Sequence, residues 1–246
     1  MRRIVIASAK GGTGKTTTAV SLAHGLALAG RRVVVVDCDP KRHAVVQFGV
    51  QPDSGVLALL QGDEAKVTEV RPGLRVIDSG GQALAWFERR MQDNVGSLGA
   101  LERALHCVQD ADYLLLDCPP CLGPLHLNAV AACDEVLLPV ATDFLGLEGA
   151  RQTLAAIRAL EPATRVQPRP VRILPTFYEA DAPSTAEFER ALREEYSGHV
   201  LQTRVRLVDE LRAAPARQQS VFEYDPLSIG ALDYAELTEE IDSLAA

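Results

Sequence analysis

Long apolar runs are absent from this chain, and their absence limits where it can work. Although 47% of its 246 residues are hydrophobic, no uninterrupted stretch approaches the roughly 18 residues that a membrane-spanning helix requires. The first residues already show the pattern of a strand, without the apolar segment of a secretory signal. We therefore expect a cytoplasmic protein that has no membrane partner.

Cysteine is also scarce. The five cysteines are odd in number and most of them lie in apolar segments, at positions 38, 107, 118, 121 and 133. This usage is typical of reduced thiols inside the cell. The sequence therefore predicts no disulfide framework.

The chain has no excess of positive charge. Its 25 basic residues are outnumbered by 33 acidic residues, which gives a formal net charge of -8. The field of the whole molecule therefore repels nucleic acids and anionic lipids, and any such partner must meet a local patch. The length and hydrophobic content suit a single α/β domain that spans residues 1–246.

Residues 9–17 carry the strongest functional signal, with the sequence Ala-Lys-Gly-Gly-Thr-Gly-Lys-Thr-Thr. An apolar, β-branched strand pattern precedes this segment, and apolar residues at helical spacing follow it from 16 to 29. A glycine loop between a strand and a helix turns backbone N–H groups inward beside a helix N-terminus, which suits phosphate. The predicted nucleotide-binding residues are Lys10, Gly11, Gly12, Thr13, Gly14, Lys15, Thr16 and Thr17.

Two side chains of this loop have distinct predicted tasks. Lys15 would reach the β and γ phosphates of a nucleotide, and the Thr16 hydroxyl would coordinate Mg²⁺. The ordinary pattern G-x-x-x-x-G-K-[ST] has glycine where this chain has Ala9, and an additional lysine, Lys10, follows. The loop is therefore a variant of the common phosphate-binding form.

Strand and helix patterns alternate along the chain. Further strands are predicted at 32–37, 74–77, 113–117, 135–140, 171–176 and 200–205, with helices at 98–108, 147–160, 184–196 and 231–244. Right-handed crossovers then give an α/β fold with a doubly wound, mostly parallel sheet. A Pro-rich surface loop is expected at 162–170.

Acidic residues end two of these strands. Asp117 follows an apolar strand, the arrangement in which a carboxylate holds Mg²⁺ through a water. Asp37 and Asp39 flank Cys38 directly after the second strand and precede Pro40. In such a sheet the ligand lies beyond the carboxyl ends of the strands, where the loop and these acids meet. A simple turn at 37–40 is the alternative interpretation.

These motifs resemble those of the ParA/MinD family of ATPases, whose phosphate loop has the deviant form K-G-G-x-G-K-[ST]. The D-x-D-P segment at 37–40 and the D-C-P-P segment at 117–120 are similar to the family's first switch and metal-binding strand. Segments at 121–123, 128–129, 135–140 and 147–149 look like the ParA branch of Soj-like chromosome and plasmid partitioning proteins. The resemblance implies a P-loop NTPase fold, ATP or ADP with Mg²⁺, and slow ATP hydrolysis stimulated by a ParB-like protein.

The resemblance also assigns roles to individual residues. Lys10 would reach the phosphates of a partner subunit, so that ATP completes a homodimer. Asp39 would orient or activate the attacking water, and Asp37 would support the metal shell. The implied catalytic residues are thus Lys10, Lys15 and Asp39, and the implied metal residues are Thr16, Asp37, Asp39 and Asp117. A solvated surface lysine is the alternative for Lys10, and Lys41 stands where the family commonly has Gln.

Arginines near the C-terminus are the candidates for DNA binding. In the ParA branch, this region holds duplex DNA non-specifically through its phosphates, with a steep dependence on salt. The corresponding residues here are Arg204, Arg206, Arg212 and Arg217, with Asp209 and Glu210 among them. A second basic group comprises Arg151, Arg158, Arg165, Arg169 and Arg172. Ordinary solvated arginines are the alternative, and association with the nucleoid is the expected location if DNA binds.

Other functions compete with a partitioning ATPase that moves DNA or another large cargo. A MinD-like membrane switch needs a basic amphipathic C-terminal helix, whereas residues 234–242 are acidic. An iron–sulfur carrier of the related group could use Cys118 and Cys121, and a metabolic ligase or kinase could share the fold. No helix-turn-helix pattern precedes the first strand, so sequence-specific operator binding is not expected.

Overall fold

The computed structural model describes residues 1–92, 98–164 and 170–244. Residues 162–164 of the surface loop expected at 162–170 continue a helix instead. The rest of that loop, including Arg165 and Arg169 of the second basic group, lies outside the described residues.

Eight strands form one sheet in the order β3-β4-β2-β5-β1-β6-β7-β8. Among the strands of the described ranges, only the pair β3 and β4 is antiparallel. The predicted doubly wound, mostly parallel sheet is therefore confirmed. The strands are β1 (Arg2–Ile6), β2 (Val33–Asp37), β3 (Thr68–Arg71), β4 (Leu74–Ile77), β5 (Tyr113–Asp117), β6 (Glu135–Ala141), β7 (Val171–Tyr178) and β8 (Val205–Arg206).

Helices cover both faces of the sheet, which explains why β2 and β5 are buried along their whole length although each ends in an aspartate. The α-helices in the described residues are α1 (Lys15–Leu28), α2 (His43–Gln47), α3 (Gly55–Gln61), α4 (Gln82–Gln92), α5 (Ala100–Ala104), α6 (Pro124–Ala131), α7 (Phe144–Thr164), α8 (Pro183–Glu195), α9 (Glu210–Ala213), α10 (Val221–Tyr224) and α11 (Ile229–Ser243). Across these ranges, we find none long and apolar enough to cross a bilayer.

Two apolar cores follow from this arrangement. On one face α1 and α11 pack on the sheet through residues such as Leu22, Leu26, Tyr234 and Leu237. On the other face α3 to α8 bury a second cluster, which includes Leu125 and Leu154. The sheet is thereby fixed on both sides, and the loops at the carboxyl ends of its strands are held in place.

The strand predicted at 200–205 is wrong for most of its length. Val200 makes only an isolated bridge to Ile173, and β8 begins at Val205. The amides of Gln202 and Thr203 donate instead to the carboxylate of Glu240 on α11, at 2.8 and 2.9 Å. A side chain distant in sequence thus replaces the backbone ladder. The helix predicted at 98–108 is α5 followed by a short 3₁₀ turn at Leu105–Cys107.

Candidate functional site

The phosphate loop connects β1 to α1 at the carboxyl edge of the sheet. Gly12 and Gly14 have φ values of 74° and 88°, a left-handed region that costs other residues about 1–2 kcal/mol. Gly14 is the N-cap of α1 and has no side chain that could accept a hydrogen bond from the amides of the first turn. The N–H groups that begin the helix therefore remain directed at the loop, which is a binding site for an anion.

Lys15 is the buried cation of this loop. Its Nζ donates to the carbonyl oxygen of Lys10 at 2.9 Å. Burial lowers the pKa of Lys15, and the nearby Asp117 carboxylate acts in the opposite direction. A phosphate placed in the loop would replace the Lys10 carbonyl as the partner of this charge and would interact with it more strongly.

Thr16 and Asp117 lie together at one side of the loop. The Thr16 hydroxyl donates to Asp117 Oδ2 at 2.7 Å, while Asp117 Oδ1 is buried without a hydrogen-bond partner in the structure. Burial raises the pKa of Asp117 to about 7. One hydroxyl and one orphaned carboxylate oxygen fit Mg²⁺, which commonly takes its other ligands from phosphates and water. In keeping with such a sparse site, the described parts of the chain contain no cluster of three or more His, Cys, Asp or Glu suited to a metal.

Asp37 lies beside Asp117 because β2 and β5 are adjacent in register. Its Oδ1 accepts from the amide of Asp39 at 3.0 Å, and its Oδ2 accepts from those of Ala44 and Val45 at 3.1 and 3.2 Å. Burial and the Asp117 carboxylate raise the pKa of Asp37 well above its ordinary value. Asp37 thus satisfies the first amides of α2, a structural role that the sequence pattern did not reveal.

Asp39 combines a turn with a carboxylate at the site. Its Oδ1 accepts from the amide of Lys41 at 2.9 Å, and its carbonyl oxygen accepts from the amide of Arg42 at 2.8 Å. Asp39 is buried, whereas the Lys41 side chain is exposed. The turn that was the alternative interpretation of residues 37–40 is therefore present. Because the Asp39 carboxylate is part of this turn, the turn is compatible with a functional role for Asp39.

Arg42 follows Lys41, and the sequence motifs assign it no role. It has a φ of 61° although it is not glycine, a conformation that costs about 1–3 kcal/mol and persists only where other contacts impose it. Its guanidinium forms a bidentate ion pair with the buried carboxylate of Asp78, which follows β4. No sequence pattern links these two positions, which lie 36 residues apart.

Lys10 lies on the rim of the loop, where its side chain is 25% exposed. Its Nζ is 2.9 Å from Oδ1 and 3.1 Å from Oδ2 of Asp143, at the start of α7. The same helix supports the loop backbone, since the Ala9 amide donates to Thr153 Oγ1 at 2.9 Å. A Cβ on Gly149 would lie 2.9 Å from Lys10 Cβ, so glycine is required there for this close approach. Sequence reasoning identified Lys10 but not its acidic partner.

A cavity of about 470 Å³ opens next to the phosphate loop and is suited to a nucleoside. Thr176 at the end of β7 closes one side, with its hydroxyl donating to the Thr13 carbonyl oxygen at 3.0 Å. Position at a strand end was the signal that could have identified this residue. The other lining residues come from the loop, the start of α1, β7, β8 and the segment after it, and α11: Gly12, Gly14, Thr17, Phe177, Val205, Arg206, Leu207, Val208, Leu211, Arg212, Pro215 and Tyr234.

The four candidate DNA-binding arginines do not form one free basic patch. Arg204 pairs with Glu189 at 2.8 Å and stacks over a tyrosine ring. Arg206 donates to the Asp233 carboxylate through Nε and Nη2. Only Arg212 and Arg217 have exposed side chains without an acidic partner within 4 Å in the described structure. Of the four predicted arginines, these two are therefore the ones whose positive charge is not offset by a neighbouring carboxylate.

The remaining predicted groups differ in accessibility. In the second basic group, Arg151 pairs with Glu148 and Glu195. The two cysteines considered as iron ligands lie in different environments, because Cys118 is buried and Cys121 is exposed.

Comparison with known proteins gives a consistent result. The family model of the AAA domain matches residues 1–167. The chromosome-partitioning ATPase Soj of Thermus thermophilus is 35% identical over 98% of this chain and 95% of its own length. These matches extend far beyond the phosphate loop.

Solved structures agree on the fold. McdA from Cyanothece without nucleotide superposes with a TM-score of 0.87 over all of both chains, at 20% identity. A cobyrinic acid a,c-diamide synthase from Mycobacterium smegmatis, solved with ADP and magnesium, gives 0.81 at 27% identity over 98% of this chain and 94% of its own. The chain therefore belongs to the ParA/MinD family of ATPases, in the branch of Soj-like partitioning proteins.

Proposed function

We propose that residues 1–246 form one ATPase domain that dimerises with ATP and partitions or positions DNA or another large cargo. The observation that carries the proposal is the placement of Lys10. It lies at the rim of a phosphate loop that already has its own buried lysine, Lys15. A second cation on the rim is available to phosphates that approach from outside the subunit.

The loop and the strand-end acids supply the nucleotide chemistry. Amides from Gly11 to Thr17 would surround the phosphates, with Lys15 against the β and γ groups. Thr16 and Asp117 would hold Mg²⁺, which neutralises charge on the phosphates, and Asp37 and Asp39 would support its outer shell. The cavity beside the loop would receive adenosine. The ADP and magnesium of the solved relative support this assignment of cofactors.

Asp39 would act in hydrolysis. It is buried in the turn that follows β2, and its charge acts on the Asp117 carboxylate. A carboxylate there can orient a water for attack on the γ-phosphate. Asp39 is the proposed catalytic residue of the first switch, together with Lys15 and the partner-directed Lys10.

Apolar side chains support a dimer face next to Lys10. Phe144 and Leu145 directly follow Asp143, and they are 73% and 62% exposed. Large apolar side chains that are exposed together mark protein interfaces more often than ordinary surface. In the proposed dimer these residues pack between subunits while each Lys10 reaches the other subunit's nucleotide.

The proposed surface on which the dimer is held is duplex DNA, which the dimer binds without sequence preference. Each subunit has a net charge of -8, so a monomer repels DNA. Arg212 and Arg217 are exposed, and a dimer would display both pairs on one assembly. A ParB-like protein would stimulate hydrolysis and release the complex, which would place the protein in the cytoplasm on the nucleoid.

Gel filtration combined with DNA retention tests the proposal. Protein would be applied to a duplex DNA column with ATP or ADP, at about 50 and 200 mM salt. We expect a dimer only with ATP, retained at the lower salt and released at the higher. A protein that stays monomeric with ATP would contradict the proposed ATP-dependent dimerisation. A dimer that is not retained on DNA would contradict the proposed DNA binding and indicate that the dimer binds another surface.

A further inference from the structure

The loop after β2 carries an ion pair that the proposed phosphate and metal chemistry does not use. Arg42 Nε lies 2.7 Å from Oδ1 and 3.0 Å from Oδ2 of Asp78, and its Nη2 adds a further bond. The side chains of Arg42 and Asp78 are 16% and 2% exposed. A bidentate ion pair that is largely shielded from solvent fixes the orientation of the guanidinium plane as well as its distance from the carboxylate.

This pair joins the loops of two neighbouring strands. Asp78 directly follows β4, which is parallel and adjacent to β2. Asp78 Oδ2 also accepts from the amide of Asp53 at 2.8 Å, so the carboxylate is itself held by the segment that leads into α3. The guanidinium is therefore anchored to a rigid support that is independent of the phosphate loop.

Backbone contacts transmit that anchorage to Asp39. The Arg42 amide donates to the Asp39 carbonyl oxygen at 2.8 Å, and the Lys41 amide donates to Asp39 Oδ1 at 2.9 Å. These bonds close residues 39–42 into one turn. A displacement of Arg42 would open the turn and rotate the Asp39 carboxylate.

The backbone of Arg42 indicates that its side chain is needed. Its left-handed conformation is one that glycine adopts freely and that other residues adopt only when contacts impose it. The two bonds from Nε to Asp78, with the third from Nη2, are the contacts that impose it here.

We infer that Arg42 is a positioning residue for ATP hydrolysis: through Asp78 it holds the 39–42 turn so that the Asp39 carboxylate faces the attacking water. The inference rests on the proposed function, in which Asp39 orients that water. It gives Arg42 no contact with the nucleotide. Loss of the pair should therefore lower kcat and leave the affinity for ATP unchanged.

Arg42→Gly tests this directly, because glycine suits the left-handed backbone and removes the guanidinium. We expect kcat for ATP hydrolysis to fall about 10- to 100-fold, the loss associated with displacement of a catalytic group by about 1 Å. The Kd for ATP, measured by displacement of a fluorescent analogue, should stay at the wild-type value. Arg42→Lys, which keeps the charge without the planar fork, should recover only part of kcat.

Two more variants control for folding. Asp78→Asn keeps an acceptor for the Asp53 amide but removes the charge, and it should lower kcat like Arg42→Gly. Arg71→Ala breaks a partly buried ion pair with Glu223 at the edge strand β3, and it should keep the wild-type kcat. Wild-type kcat in both Arg42→Gly and Asp78→Asn, or loss of ATP affinity in them, would overturn the inference.

The Asp39→Ala background separates this inference from the proposed function. Arg42→Gly should have no added effect there, because the group that it positions is gone; a further fall by the same factor would overturn the inference. A slow Asp39→Ala beside an unimpaired Arg42→Gly refutes the role of Arg42 alone. A wild-type kcat in Asp39→Ala refutes the catalytic assignment and the role of Arg42 together.

Discussion

The ammonium group of Lys10 is bound by the carboxylate of Asp143, with Nζ 2.9 Å from Oδ1. The lysine that is proposed to reach a partner's nucleotide is thus paired within its own subunit. Because the side chain of Asp143 is 56% exposed, the pair is weak, and the phosphates of a second nucleotide can displace it. Dimerisation would then exchange a carboxylate for a phosphate as the partner of Lys10.

Asp143→Asn should therefore favour the ATP-bound dimer. An exposed ion pair contributes about 0.2–1 kcal/mol, and a symmetric dimer exchanges two of them, so the dimer dissociation constant is expected to fall by up to about 30-fold. Asn still accepts the Gly146 amide at the start of α7, which preserves the helix end. Analytical ultracentrifugation with ATP measures the constant, and Asp63→Asn, at an exposed aspartate after α3, serves as the control. Weaker dimerisation of Asp143→Asn would show that Asp143 presents Lys10 productively instead.

Asp39→Ala should bind ATP and Mg²⁺ and hydrolyse ATP slowly. The change removes the carboxylate that is proposed to orient the water, while the loop amides, Lys15 and the Thr16–Asp117 pair remain. We expect a loss of about 10²- to 10⁴-fold in kcat, measured as phosphate release. The variant should accumulate as an ATP-bound dimer. Turnover at the wild-type rate would reduce Asp39 to a residue of the turn.

Arg212 and Arg217 should carry DNA binding. Their replacement by alanine should abolish retention of the dimer on duplex DNA at about 50 mM salt, since both side chains are exposed without an acidic partner within 4 Å in the described structure. Because Arg212 also lines the cavity proposed for adenosine, dimerisation of the variant with ATP is measured first. The matched comparison is Arg204→Ala, which removes an arginine already bound to Glu189 and should reduce retention little. If Arg204→Ala weakened retention as much as the double variant, the free arginines would not be the contact surface.

Burial of His126 should make the fold sensitive to acid. Burial lowers the pKa of His126 to about 4, whereas an unfolded chain protonates histidine near about 6.5. Unfolding therefore takes up a proton between these values, and stability is lost as the pH falls below about 6.5. Between pH 7 and pH 5 this group accounts for about 2 kcal/mol.

Urea unfolding of wild type and His126→Gln at the two pH values measures this contribution. Glutamine does not titrate, so the variant should lose less stability than wild type on acidification. His24, whose pKa burial also lowers, is present in both proteins and cancels in the comparison. An equal loss of stability in the two proteins would contradict the assignment.

Local sequence was sufficient to predict the phosphate loop and the strand-end acids. The glycines of the loop and the apolar strand before Asp117 are contiguous patterns, and parallel strands bring their ends together by topology. Partnerships between distant residues were not predictable. Lys10 and Asp143 are 133 residues apart, and Gln202 turns to Glu240 instead of extending a strand. Such pairs arise when α7 and α11 pack on the rest of the fold. The periodicity that predicts a helix does not specify which distant residues that helix will contact.

Light scattering of Lys10→Ala and Lys15→Ala with ATP and Mg²⁺ tests the central claim most directly. Lys15→Ala should lose nucleotide binding, because the phosphates lose their buried cation. Lys10→Ala should bind ATP with wild-type affinity and yet keep the mass of a monomer, whereas wild type doubles its mass. A Lys10→Ala protein that dimerises with ATP as wild type does would contradict the claim that Lys10 acts across the dimer.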